Sequence, residues 1–252
     1  MPLAKRQLEL NNRLGNTETI RNKRSHFSDT SGSLRAAVLG VNDGLVSNFS
    51  LVMGVVGGTS NTNIVLLAGV AGLLSGAFSM AAGEYISMRS QRDVYEHQIA
   101  LKKNELEMCP EDEEKKLALI YHSKGLSKEE AETIANRIMS NPKVALDTLI
   151  IEELGLNQSG LGSPWLASIS SFTAFVAGAL VPILPYIFGV TDIAIPITAF
   201  LSAIALLTVG GALAWMNNKS VTCGALRMAI AGGTAAAVTF SIGSIIGISL
   251  PI

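Results

Sequence analysis

A chain of 252 residues with 48% hydrophobic side chains, 15% charged ones and a mean hydropathy of +0.39 is too apolar for an ordinary soluble domain; it reads as an all-α, polytopic membrane protein. The formal net charge of −1 excludes the broad positive field that nucleic-acid binding uses, so no nucleic-acid partner is expected. Cys109 and Cys223 are far apart and lack CxxC spacing, which excludes a disulfide framework and leaves each as a free thiol.

The chain begins with a polar, basic arm, residues 1–33, without the apolar core of a cleavable signal peptide. Five apolar stretches follow, at about residues 36–56, 64–87, 165–188, 193–216 and 225–250, each close to the ~20 residues that cross a hydrocarbon core as a helix. The turn Gly57-Gly58-Thr59-Ser60-Asn61-Thr62-Asn63 makes the first two an antiparallel hairpin, and Gly189-Val190-Thr191-Asp192 joins the third and fourth as tightly. This divides the chain into the arm 1–33, two spans in 34–88, a polar helical domain in 89–160 inserted between spans two and three, and three spans in 161–252. Seven of the 19 Lys and Arg lie in residues 1–35, ten between Arg89 and Lys143, and the last two, Lys219 and Arg227, flank the connection of spans four and five. Five spans put all 19 on one side, so the positive-inside rule predicts a cytoplasmic N-terminus and 89–160 block, with the C-terminus outside. Gly40 with Gly44 and Gly72 with Gly76 have helix-packing spacing, and Pro182, Pro185 and Pro196 are candidate bends.

Inside the first span, in Leu34-Arg35-Ala36-Ala37-Val38-Leu39-Gly40-Val41-Asn42-Asp43-Gly44-Leu45-Val46-Ser47-Asn48-Phe49, sits Asp43. A charge in hydrocarbon costs at least ~2.5 kcal/mol on insertion scales, so it is expected to face protein or an aqueous path and to bind something. No Lys or Arg lies deep in any stretch, which leaves a cation in transit, a proton relay or a structural polar link. Met80 lies about as far from the same end of the second, oppositely directed span, so both side chains are expected ~10 Å inside one face. Met80 and Glu84, four apart, stack on one helix face. Carboxylate oxygen with thioether sulfur suits a divalent transition metal better than Mg²⁺ or Ca²⁺. The plainer readings are Met80 as core, Glu84 as a solvated border charge, and Asn42, Ser47 and Asn48 as links between helices.

From Tyr85 through Glu107 there is neither Gly nor Pro, so span two is predicted to run on as one long helix. Pro110 opens a second helix with Glu111, Asp112, Glu113 and Glu114 in its first turn, and Gly125 ends it. Ser127 and Glu130 form a capping box for a third, over 128–139. A fourth is predicted over 142–154, with Val144, Leu149 and Ile150 as packing positions. The block's 14 Asp and Glu against ten Lys and Arg read either as a solvated face or as a carboxylate cluster that collects metal. His97, His122, Met108 and Cys109 have no recognised ligand spacing.

The first-span segment Leu34 to Ser47 resembles the first-span signature of the vacuolar iron transporter family. Ser79-Met80-Ala81-Ala82-Gly83-Glu84-Tyr85-Ile86-Ser87, followed by Ser90-Gln91-Arg92-Asp93, is similar to its second-span signature. Ile120-Tyr121, Lys124-Gly125-Leu126 and Glu152-Glu153-Leu154-Gly155-Leu156 fit its cytoplasmic domain. The resemblance covers roughly residues 33–252. It implies a five-span protomer working as a homodimer, with Fe²⁺ exported from the cytosol against protons along a path between protomers, and Mn²⁺ or similar ions as alternatives. The family's pathway Asp and Met fall on Asp43 and Met80. Where the family's cytoplasmic domain carries two Glu pairs and a Met pair followed by a Glu, this chain has Lys102 with Glu105, Glu113 with Lys116, and Leu149 with Ile150 followed by Glu153. The resemblance thus leaves Glu105, Glu113 and Glu153 as a weak or degenerate metal site, or as ion pairs that hold the domain together.

Two functions follow. One is a transporter moving Fe²⁺ or Mn²⁺ out of the cytosol in exchange for protons, with Asp43, Met80 and Glu84 on its path. The other is a non-transporting membrane metal sensor or adaptor acting through the 89–160 helices. The chain has no nucleophile motif, phosphate loop or zinc-spacing motif, so neither an enzyme nor a prosthetic group is expected. The expected partners are a second copy, the bilayer, divalent transition-metal ions and protons. A short chain without a targeting peptide favours a prokaryotic inner membrane, with a vacuolar membrane as the alternative.

Overall fold

The computed structural model describes residues 34–155 and 162–249. The basic arm 1–33, the expected end of the polar block within 156–161, and Leu250 at the expected end of the fifth span lie outside the described residues. Among these there are eight helices and no strand. They are α1 (Leu34–Gly58), α2 (Thr62–Met108), α3 (Pro110–Ser123), α4 (Lys128–Met139), α5 (Pro142–Glu152), α6 (Pro164–Ile187), α7 (Ala194–Met216) and α8 (Val221–Ser249). Five of them, α1, α2, α6, α7 and α8, are long and apolar enough to cross a membrane. The fifth span starts at Val221 rather than near residue 225, because the Ser220 carbonyl already accepts the first helical bond, from the Gly224 N–H at 3.0 Å. The chain divides into two compact units: the described residues of Ser31–Ile86 with Ser163–Ile252, and the described residues of Ser87–Gly162. The 47-residue α2 contributes to both, unbroken as its lack of Gly and Pro past Tyr85 predicts.

In the span unit, contacts between helices fix their directions. A β-carbon on Gly40 would lie 2.7 Å from the Ser171 carbonyl, and Asn48 Nδ2 donates to the Ala179 carbonyl at 2.6 Å. Both pairs are 131 residues apart, so α1 and α6 run parallel, backbone against backbone. Thr239 Oγ1 donates to the Ser50 carbonyl at 2.7 Å, and Gly243 and Gly247 abut Gly58, so α8 is parallel to α1 as well. The even spans are reversed. Ser168 Oγ donates to the Ala81 carbonyl at 2.8 Å, while Phe78 lies 5.2 Å from Phe172 and Tyr85 4.9 Å from Trp165 between ring centroids. Gly224 abuts Ala214 and Gly232 abuts Leu206, so α7 runs against α8. Alternation therefore puts Arg35 and Lys219 at one end of the unit, with Arg227 nearest that end of α8, while the opposite turns carry no Lys or Arg.

Pro182 and Pro185 lie inside α6, and Thr198 Oγ1 of α7 donates to the Pro182 carbonyl at 3.2 Å. Pro196 is the third residue of α7, where a backbone N–H has no helical partner to lose, so it does not bend that span.

The other unit follows its local signals closely. Ser127 Oγ accepts from the Glu130 N–H at 3.3 Å and Glu130 Oε2 accepts from the Ser127 N–H at 3.0 Å, the full capping box. Asn141 caps α5, accepting from Lys143 N at 3.2 Å, with Pro142 in its first turn. Gly125 has φ +102°, a left-handed turn that glycine adopts without a Cβ clash, and α3 ends before it. Leu117, Ala135 and Leu149 form the buried apolar centre, with Leu106 and Tyr121 packed on it. Leu149 and Ile150 are buried as expected, but Val144 is 46% exposed because it lies in the capped first turn of α5, off the packing stripe.

Candidate functional site

Asp43 lies on an exposed face of α1 together with Leu39 and Ser47, at i, i−4 and i+4; Leu45 and Asn48 on the other side are buried. Ser47 Oγ donates to the Asp43 main-chain carbonyl at 2.5 Å, a bond within its own helix rather than to a neighbour. Among the described residues the Asp43 carboxylate takes part in no hydrogen bond or ion pair. Asn48, by contrast, does link helices through Ala179, and its Oδ1, like that of Asn42, is buried without a donor.

Met80 is partly buried against the core that contains Ala77 and Phe175. Gly69 abuts Val52, and Gly72 abuts Asn48 and Leu51, which fixes the antiparallel register of α1 and α2. Carried along both helices, this register puts Asp43 and Met80 within about two residues of one level, ~3 Å along the axis. No hydrogen bond or ion pair among the described residues joins Asp43 to Met80 or Glu84. Glu84 sits one turn beyond Met80, toward the Arg35 end of the span unit, with Arg35 Nη2 3.8 Å from its Oε1, an ion-pair distance too long for a hydrogen bond. That oxygen is shielded from solvent and has no hydrogen-bond partner.

The three glutamates of the other unit converge on one ammonium. Lys102 Nζ lies 2.6 Å from Glu105 Oε2, 2.7 Å from Glu153 Oε2 and 3.0 Å from Glu113 Oε2. Lys116 Nζ holds the second Glu113 oxygen, Oε1, at 2.6 Å. Lys102 and Glu113 are 4% and 1% exposed, so this is a buried pair in which every charge has a partner. Burial alone pushes the Lys102 ammonium toward neutrality; hydrogen bonds to Glu105, Glu153 and Glu113 outweigh it and hold the pKa well above the ordinary lysine value. The hydrogen bond from Lys102 lowers the Glu105 pKa, and the one to Glu113 raises that of Lys116. Lys124 with Glu152 makes a further tie from the end of α3 to the end of α5.

Lys102, Glu105 and Leu106 share one face of α2 at i, i+3 and i+4, and Leu106 packs into the apolar centre. That spacing is the sequence signal for an inward-facing Lys102, which the charge count alone conceals. Met108 and Cys109 are exposed, as are His97 and His122, whose Nδ1 lies 2.8 Å from the Leu126 carbonyl. Among the described residues no group of three or more His, Cys, Asp or Glu is disposed to hold a metal ion by itself.

A model of the VIT family matches residues 34–244. The chain is 34% identical over 224 residues to a vacuolar iron transporter of Acanthamoeba castellanii, covering 85% of this chain and 78% of that protein. It is 33% identical over 223 residues to vacuolar iron transporter 1 of Eucalyptus grandis, covering 86% and 88%. To vacuolar iron transporter 1 of Arabidopsis thaliana it is 31% identical over 227 residues, covering 88% of each.

Proposed function

Because this multi-pass membrane chain belongs to the VIT family, we propose that it carries a divalent transition-metal ion, Fe²⁺ or Mn²⁺, out of the cytosol in exchange for protons, along a path at the interface of a homodimer. The observation that carries this reading is Asp43: a carboxylate within a span, exposed on a face that nothing among the described residues covers. In hydrocarbon such a charge is too costly to leave bare, and a second copy with a cation between the two supplies what it lacks. Met80 adds a soft thioether at nearly the same level, and Glu84 a carboxylate nearer the Arg35 end, where Arg35 competes for it. The uniform placement of Lys and Arg favours a cytosolic Arg35 end. The membrane would be a prokaryotic inner membrane or a vacuolar one.

The three glutamates around Lys102 support a structural rather than a collecting role in this reading. Their negative charge is already matched by a tethered ammonium, and a metal would have to displace it. For the same reason a sensor working through these helices draws less support than transport. The test is metal flux in proteoliposomes of known orientation: accumulation across the membrane is expected, and a protein that binds the ion without moving it would be the sensor instead.

A further inference from the structure

A second charged feature of the span unit belongs neither to the Asp43 level nor to the packing of the bundle. The sixty residues after Asp192 carry no Asp or Glu and two cations, Lys219 and Arg227. Both line one hollow of about 380 Å³ at the α7–α8 connection, together with Leu213, Asn217, Ser220 and Cys223. Neither makes an ion pair among the described residues.

The hollow is built by the local chain. α7 ends with Asn217 N–H on the Leu213 carbonyl at 3.2 Å and Lys219 N–H on the Ala214 carbonyl at 2.8 Å, while Asn218 takes a left-handed φ of 52°. This turn fixes the backbone from which Lys219 projects. Gly210 and Gly224 bring α7 and α8 into backbone contact beneath it. Arg227 lies ~9 Å along α8 from Val221, toward the Arg35 end of the unit, and its side chain is exposed. Helical side chains lean toward the N-terminus, so Arg227, one turn beyond Cys223, points back toward the turn that carries Lys219. Trp215, next to the lining Ala214, is 73% exposed.

We infer that this hollow binds a phosphate-bearing anion, held between Lys219 and Arg227, either as the headgroup of an anionic lipid or as a free phosphate. A planar guanidinium on α8 and a mobile ammonium on the turn before it, lining one hollow, match the several oxygens of one phosphate, and the position between two span ends is the level of a headgroup. The bound anion would supply the charge that the last sixty residues lack and tie α7 to α8.

The test is the thermal unfolding midpoint of the full-length protein in detergent, titrated with short-chain phosphatidylglycerol, with phosphatidylcholine of the same chains, and with inorganic phosphate. Phosphatidylglycerol is expected to raise the midpoint saturably and phosphatidylcholine to leave it unchanged. The Lys219→Gln, Arg227→Gln double variant should lose at least tenfold in apparent affinity, and the Lys219→Arg, Arg227→Lys exchange should keep most of it. A phosphate response lost in the double variant makes the free anion sufficient; a phosphatidylglycerol response without a phosphate response assigns the site to lipid. Wild-type response in the double variant, or an equal loss in an Arg89→Gln, Arg92→Gln control, overturns the site in favour of diffuse surface charge. If the double variant does not fold, the two single variants decide: wild-type affinity in both overturns the proposal.

Discussion

Lys102 Nζ and Glu113 Oε2 lie 3.0 Å apart with both side chains shielded from solvent, so the buried carboxylate of α3 is neutralised by a covalently attached cation from α2. Removing one partner of such a pair costs ~3–5 kcal/mol, because the other charge is left buried. Lys102→Met is therefore expected to lower the melting temperature of the purified full-length protein. Lys124→Met, which breaks a partly exposed pair, is expected to change it far less. Equal shifts for the two would show that the hub does not hold the unit together.

The same geometry predicts a gain of metal binding. Lys102→Glu with Lys116→Glu removes both ammonium groups and adds two carboxylates where Glu105, Glu113 and Glu153 already converge. Calorimetric titration of the full-length variant with Mn²⁺, at fixed pH and salt, should give at least tenfold tighter binding than the wild type, about 1.4 kcal/mol. Unchanged affinity would mean that the three glutamates do not face a common centre once Lys102 is gone.

The hub has a defined pH window. The Glu105 pKa is lowered, so its contribution is complete above the unfolded carboxylate value near ~4.3 and is lost as pH falls through the lower folded value. Lys102 is shifted the other way; its contribution is complete below the unfolded lysine value near ~10.4 and disappears as pH rises through the higher folded one. Stability contributed by this pair is expected to be level from about pH 5 to pH 9 and to fall on either side. Melting curves of wild type and Lys102→Met across that range should differ by a constant amount; a difference that varies steeply near neutral pH would point to another titrating group.

For transport, Asp43→Asn keeps the shape of the side chain and removes the charge that offsets a desolvated cation. Fe²⁺ flux into proteoliposomes is expected to fall at least a hundredfold, about 2.8 kcal/mol, with folding and oligomeric state unchanged by size-exclusion chromatography. Wild-type flux in this variant would remove Asp43 from the path. Metal movement away from the Arg35 end should also accelerate when the opposite compartment is made acidic, since carboxylates that release metal must bind protons to reset. Flux that is unaffected by collapsing the gradient with an ionophore would indicate a channel or uniporter.

The parallel contact of α1 and α6 predicts a contrast between two glycines. A β-carbon at Gly44 meets the Phe175 carbonyl, so Gly44→Val should force the helices apart and cost ~1–3 kcal/mol, read as a lowered melting temperature. A β-carbon at Gly233 in α8 meets nothing within 4 Å, and Gly233→Ala should be neutral or stabilising by up to ~1 kcal/mol. Equal losses at both positions would argue against close α1–α6 contact.

What the sequence determined by itself is what local rules encode. Apolar length set the five spans, Pro110, Gly125, Ser127 and Pro142 set helix ends within a turn, and the lack of breakers past Tyr85 set the unbroken α2, because capping, backbone freedom and burial length act within a few residues. Only the tertiary structure decided which faces meet. Glu105 is three residues from Lys102, but Glu113 and Glu153 reach its ammonium through the packing of α2, α3 and the end of α5, and charge counting left them either as a solvated face or as a carboxylate cluster that collects metal. Gly40 and Gly44 announced a close helix contact but not that its partner is α6 running parallel; the exposed Asp43 face depends likewise on the register between helices, which no spacing along one chain segment specifies.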